Sequence, residues 1–276
     1  MSAFPGLAGP VLLVGCGKMG GALLSGWLDR GMPAAAVTVV EPLIASAEAV
    51  RKLGVAAHPT VETVPAAFQP QVVLIAVMPQ AMDAAAPACG RFAAKGALVL
   101  SIAAGKTIAY FERALGAGAR IVRAMPNTPA AVRRGFSVMA ANAAVGGSGR
   151  ALAESLLGAV GETAWVEDEG LIDAVTAVSG SGPAYVFLLI ETLAQAGIAA
   201  GLEAGLAMRL ARATVIGAGE LARLSPASAE QLRKNVTSPA GTTEAALKVL
   251  MASDGLAPLM TRAVAAATRR SRELAG

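Results

Sequence analysis

Residues 11–28 read VLLVGCGKMGGALLSGWL, and their order settles the kind of fold to expect. Four consecutive apolar residues, Val11–Val14, have the length of a short buried strand and stop at a glycine-rich turn. Residues 22–28 then place apolar side chains at helical spacing, and Val37–Val40 is a second β-branched run. Strand, glycine turn, helix and strand within about thirty residues make a βαβ unit. The turn carries Gly15, Gly17 and Gly20 as GxGxxG, directly after a strand and at the opening of a helix, which is the context a dinucleotide-binding turn requires. Gly15 permits the tight turn, Gly17 lets the backbone approach a pyrophosphate, Gly20 lets the helix pack close to the sheet, and the helix N-terminus attracts the phosphates. Glu41, about twenty residues beyond Gly20, ends the second run, where a carboxylate accepts hydrogen bonds from the adenosine ribose and repels a 2′-phosphate. That leans slightly toward NADH over NADPH. Arg51 and Lys52, one helix away, keep NADPH open.

Further apolar runs at residues 72–77, 97–102, 121–124 and 137–140 are continuous rather than alternating, as in strands of a parallel sheet covered on both faces. Each of the segments AVMPQ (76–80), SIAAG (101–105) and MPNTP (125–129) sets small or turn-forming residues at a strand's carboxyl end, where an open α/β sheet binds its ligand. Asn127 and Thr128 are neutral donors and acceptors suited to a carboxamide, in a turn whose composition also occurs without a ligand. From about residue 167 the pattern becomes helical, broken at SGSGP (179–183), SPAS (225–228) and SPAGTT (238–243). The expectation is an α/β domain with a parallel sheet over residues 1–166 and an all-α domain over 167–276.

Apolar residues make up 55% of the 276 and charged residues only 15%, so the chain is either closely packed or membrane-bound. Residues 174–202 hold a single charge, Glu191, but SGSGP interrupts the stretch, the carboxylate falls mid-span and no basic cluster flanks it, which argues against a membrane span. A helix apolar on every side then belongs in a subunit interface. Lys and Arg exceed Asp and Glu by 23 to 19, and the cations are scattered, so nucleic acid is not indicated. Cys16 and Cys89 form neither a metal-binding spacing nor a disulfide framework, and the N-terminus lacks the features of a secretory signal; a reducing cytoplasm fits.

The stretch NVTSPAGTTE, residues 235–244, sets up an anion site without a charged residue from 236 to 243. Pro239 and Gly241 force a turn, Thr242 or Thr243 can cap the following helix, and the free N–H groups of the helix end join the hydroxyls of Thr237, Ser238, Thr242 and Thr243. The same residues also describe an ordinary capped helix. The only histidine, His58, reads as a loop residue before Pro59. Without a placed base, alcohol oxidation is disfavoured, whereas an iminium arrives already protonated and needs only hydride, orientation and a hydrogen bond to nitrogen.

Three blocks, MPNTPAAV (125–132), VTAVSGSGPAYVF (175–187) and VTSPAGTTEAAL (236–247), with GCGKMG and SIAAG, resemble the pyrroline-5-carboxylate reductase family over nearly the whole chain. The resemblance implies a Rossmann-type N-terminal domain and a helical domain that pairs two subunits, commonly five dimers in a decamer. It implies reduction of the C=N bond of 1-pyrroline-5-carboxylate to L-proline by NAD(P)H, with Thr243 and Ser238 at the reacting centre and Gly241, Thr242 and Ser181 lining the substrate. Gly15, Cys16, Gly17, Lys18, Met19, Gly20, Glu41, Val77, Met78, Pro79, Ala103, Met125 and Asn127 would border the dinucleotide, and no metal is implied. Two positions depart from the family's habit: Met78 replaces a frequent lysine, and Arg133 a frequent glycine. The Arg133/Arg134 pair is then either a solvated turn or a contact at the cofactor's edge. Ser179 and Ser181 either bound an active site or serve the packing of a buried helix. Rival readings are a reductase of another small cyclic imine or carbonyl acid, and a silent dinucleotide-binding protein whose helical domain is an interaction module.

Overall fold

The computed structural model describes residues 4–275. Its strands are β1 (Val11–Val14), β2 (Val37–Val40), β3 (Ala56–His58), β4 (Val72–Ile75), β5 (Leu98–Ser101), β6 (Arg120–Met125), β7 (Gly135–Ala141) and β8 (Gly161–Trp165). They form one sheet in the order β3-β2-β1-β4-β5-β6-β7-β8. Strand order reverses between β1 and β4, and an open α/β sheet places its ligand at such a reversal, outside the strands' carboxyl ends. All pairs are parallel except β6 with β7. The link between those two contains only a short 3-10 turn, Thr128–Val132, too little chain for a crossover, so β7 runs back antiparallel.

The continuous apolar runs are explained by burial on both faces. Val11 and Leu13 join a core with Trp27 and Leu156, while Leu12 and Val14 join another with Phe92 and Phe111. Each fully buried side chain of this size contributes about 1.5–3 kcal/mol. The helices around the sheet are α1 (Lys18–Asp29), α2 (Ile44–Lys52), α3 (Met82–Ala88), α4 (Gly90–Ala93), α5 (Ile108–Leu115), α6 (Gly147–Leu157) and α7 (Leu171–Val175). Trp27 on α1 donates its indole N–H to the Leu156 carbonyl of α6 at 2.9 Å, so this large side chain is buried with its polar atom satisfied. Two strands have no counterpart among the sequence runs. β3 is three residues long with Ala56 exposed, and β8 is a half-buried edge. His58 accordingly ends β3 instead of lying in a loop: its carbonyl accepts the Glu41 N–H at 2.9 Å.

The chain forms two compact units. One runs to Gly180 and resumes at Ala267; the other is Ser181–Ala266. The change of sequence pattern at 166/167 and this packing division mark different things. α7 is already helical sequence, yet its Ile172 is buried in the sheet's core. The second unit contains α8 (Gly182–Ala199), α9 (Ala204–Leu224), α10 (Ala229–Asn235), α11 (Thr242–Leu250) and the start of α12 (Leu256–Ala275). Glu203 caps α9, its two carboxylate oxygens accepting the N–H groups of Gly205 and Leu206 at 2.8 and 2.9 Å. The end of α12 packs in the first unit: Ser271 donates its hydroxyl to buried Asp173 at 2.6 Å, and the Leu274 carbonyl would lie 2.9 Å from a Cβ at Gly105.

Candidate active site

At the end of β1 the chain turns through Gly15 at φ +90°, a left-handed conformation natural to glycine. The Gly15 N–H donates to the Val40 carbonyl at 2.8 Å, and a Cβ here would press within 3.0 Å of Ala76 and Val77 at the end of β4. Gly20 packs the start of α1 onto that turn, since a Cβ there would lie 2.3 Å from the Gly15 carbonyl oxygen. Gly17, the N-cap of α1, has nothing within 4 Å of the same position. An open N-cap above a close-packed turn is the cradle a pyrophosphate needs, with free helix-end N–H groups facing it. Lys18 is exposed beside it, and Cys16 and Met19 are half-buried.

Glu41 at the end of β2 is only 6% exposed. Its carboxylate accepts the Cys16 N–H at 2.9 Å and the Leu43 N–H at 3.0 Å, so it organises the glycine turn as well as closing β2. Burial, then the Glu41 charge, pushes the Cys16 thiol up to about 11, which keeps it protonated and inert at neutral pH. The next residues, Leu43 and Ile44, are apolar and exposed. Arg51 turns to the Ala57 carbonyl at 3.0 Å.

The other strand ends converge on the same edge. Val77 and exposed Met78 precede the 3-10 turn Pro79–Ala81 after β4. Ala103, after β5, is buried and donates its N–H to the Ser101 hydroxyl at 3.3 Å. Beyond β5 lies a cluster not read from the sequence: Lys106 is 3.1 Å from Asp83, the Tyr110 hydroxyl donates to the same carboxylate at 2.7 Å, and the ammonium sits 4.3 Å from the Tyr110 ring centroid. These hydrogen bonds, from Tyr110 and then Lys106, hold the Asp83 carboxyl below the usual range, and Tyr110 is pushed up to about 12 by burial and by Asp83. After β6, Asn127 accepts the Phe136 N–H at 2.8 Å and donates to the Ser179 hydroxyl at 3.0 Å. Ser179 belongs to a π-helical turn, Thr176–Gly180, a form common at functional sites. A Cβ at Gly180 would lie 2.5 Å from the end of the Met125 side chain.

Arg133 is half-buried and engaged by other protein groups, not a freely solvated turn residue. Its backbone is left-handed, φ +60°, and its guanidinium pairs with Asp29 and donates to the Ser25 hydroxyl at 2.9 Å and the Ala22 carbonyl at 3.3 Å, tying the turn after β6 to the far end of α1. Arg134 is exposed.

The second unit carries the other group of sequence candidates. Gly241 is the N-cap of α11, which starts at Thr242, so neither Thr242 nor Thr243 caps the helix. Thr237 donates its hydroxyl to the Arg233 carbonyl at 2.7 Å. Among the described residues, the hydroxyls of Ser238, Thr242 and Thr243 have no hydrogen-bond partner, and the N–H groups of the first turn of α11 have none within the helix. Ser181, the N-cap of α8, makes no side-chain cap and stands apart from that loop in sequence. Sequence reading passed over Glu244, whose carboxylate accepts the Ala240 N–H at 2.6 Å; an acidic residue at the third helical position was the available signal.

A pyrroline-5-carboxylate reductase of Pseudomonas aeruginosa is 43% identical to the chain, over 96% of each. The chain belongs to the pyrroline-5-carboxylate reductase family. A family model described as pyrroline-5-carboxylate reductase dimerisation matches residues 169–274, and one described as NADP oxidoreductase, coenzyme F420-dependent, matches residues 10–105. The reductase structure from Coxiella burnetii superposes with a TM-score of 0.92 at 36% identity, covering 98% of this chain and all of that one, and the Plasmodium falciparum reductase, solved with NADP bound, with 0.80 at 26%, covering 98% and 99%. The chain self-associates, as the dimerisation match implies. Leu171–Ala199 is long and apolar enough to cross a membrane, but it lies within that match and contains the π-helical turn, Pro183 and Glu191. Within it, the apolar Phe187, Leu188 and Leu189 are exposed.

Proposed function

We propose that the chain reduces the C=N bond of 1-pyrroline-5-carboxylate with NADH in preference to NADPH, releasing L-proline as the last step of proline biosynthesis in the cytoplasm. The observation that carries this reading is the loop at residues 238–243, where three hydroxyls without a partner among the described residues meet the start of α11. An anion fits there: the substrate carboxylate takes helix-end N–H groups and the Ser238 and Thr242 hydroxyls, while Gly241 keeps the backbone close and Ser181 borders the ring. The iminium N–H donates to the Thr243 hydroxyl, which orients the ring without a charged acid or base. The reduced nicotinamide, when bound, supplies hydride to the ring carbon. The C=N electron pair collapses onto nitrogen and cancels the iminium charge, so no proton need come from the protein in that step. Residues 1–166 serve the dinucleotide, and residues 167–276 serve substrate binding and association, as dimers grouped into a decamer.

The coenzyme preference rests on Glu41, on apolar Leu43 and Ile44 where a 2′-phosphate would need cations, and on Arg51 being engaged at Ala57. The test is loss of reduced-nicotinamide absorbance with pyrroline-5-carboxylate, run with NADH and NADPH in parallel and against imines of other ring size. Turnover is expected, faster with NADH, and Thr243→Ala should raise the KM for the imine or lower kcat without changing the KM for coenzyme. No turnover by folded protein that binds coenzyme would refute the reading. A ratio unchanged in Glu41→Ala would remove Glu41 from coenzyme choice.

A further inference from the structure

The loop proposed to hold the substrate contains a conformation its own sequence disfavours. Ala240 has φ +57°, a left-handed value costly for any L side chain and ordinary for glycine. The contact that holds it is local: one Glu244 oxygen accepts the Ala240 N–H at 2.6 Å, while the other lies 3.8 Å from the Lys248 ammonium, one helical turn on. Immediately afterwards the Gly241 N–H donates back to the Ser238 carbonyl at 3.0 Å, and α11 begins. A Cβ at Gly241 would lie 3.0 Å from that same carbonyl oxygen, so the loop is closely folded here and rotation at Ala240 would redirect everything on either side.

We propose that Glu244 is a positioning residue for substrate binding: by fixing Ala240 in the left-handed conformation it sets the directions of the Ser238, Thr242 and Thr243 hydroxyls. The inference rests on the proposed reading of this loop as the site for the substrate's carboxylate and ring nitrogen. It also accounts for a carboxylate beside a site for anions, since Glu244 is engaged by an N–H and faces Lys248 instead of an open anion pocket.

The test is a double-mutant cycle in the full-length enzyme. Glu244→Ala should raise the KM for pyrroline-5-carboxylate on the order of tenfold, the scale of a lost charge-assisted hydrogen bond, with the coenzyme KM unchanged. Adding Ala240→Gly should restore most of the loss, because glycine takes the left-handed turn unaided. Glu244→Gln, which keeps an acceptor oxygen, should stay within a few-fold of wild type. Unchanged KM in Glu244→Ala, or failure of Ala240→Gly to rescue it, would overturn the proposal. So would equal losses in the Gln and Ala variants, which would point to charge alone. Hydrogen exchange at the Ala240 amide provides a readout independent of turnover: protection should be lost in Glu244→Ala, and retained protection would overturn the proposal. Wild-type protein without activity on the imine would instead sink the functional reading and leave this amide result to be judged separately.

Discussion

Replacing Gly17 and Gly20 separately by alanine should produce opposite failures. A Cβ on Gly20 would stand 2.3 Å from the Gly15 carbonyl oxygen, short of ordinary contact by about 1 Å. Neither side can yield cheaply, since Gly15 is bonded to Val40 and stacked on Ala76 at the end of β4. Forcing such a methyl into a packed site costs roughly 1–3 kcal/mol. In a unit of this size that lowers Tm by roughly 2–12 °C. On Gly17 the same methyl meets nothing within 4 Å. Its stability cost should stay within about 1 kcal/mol, the difference between glycine and alanine at an N-cap. The methyl would, however, occupy the approach of the pyrophosphate, and coenzyme affinity should fall on the order of tenfold, equivalent to about 1.4 kcal/mol. Thermal unfolding by circular dichroism and titration of NADH fluorescence separate the two effects. Equal Tm losses in both variants, or unchanged NADH affinity in Gly17→Ala, would refute the division of roles.

At position 133, alanine keeps the left-handed strain and loses the Asp29 and Ser25 contacts, whereas glycine loses the contacts and relieves the strain; Arg133→Ala should be less stable than Arg133→Gly by about 1–2 kcal/mol in urea denaturation. The Asp83 carboxyl, held below its usual range by Tyr110 and Lys106, stabilises the folded state fully above the unfolded carboxylate pKa and loses that contribution as pH falls through the lowered value. The Tm gap between wild type and Asp83→Asn should therefore be constant above about pH 5 and narrow below about pH 4. A gap that widens on acidification would reverse the assignment.

What could be read from the sequence was what depends on local pattern. Val11–Val14 and Val37–Val40 coincide with β1 and β2 because buried parallel strands are runs of apolar residues ended by turns. β3 and β8 escaped notice because short or half-buried edge strands lack such runs, and the antiparallel β7 is set by the length of its connection, not by its own residues. Gly15, Gly17 and Gly20 were placed by motif. That Glu41 would reach back to the Cys16 N–H depends on the pairing of β1 with β2 across the sheet. Arg133 was unreadable for the same reason: its partners Ala22, Ser25 and Asp29 are distant in sequence and meet it only when α1 is packed. Glu244 was the reverse case, a neighbour four residues from Ala240 whose role emerges only once the alanine is known to be left-handed.

The return of α12 to the first unit decides where a label or a cut would be felt. Ser271 is bonded to buried Asp173, and the Leu274 carbonyl rests on Gly105, in the turn that follows Ala103 at the coenzyme edge. A bulky label or a cut within residues 271–274 would disturb that contact and the turn beneath it, whereas a label on the exposed face of α9 stays clear of residues 271–274.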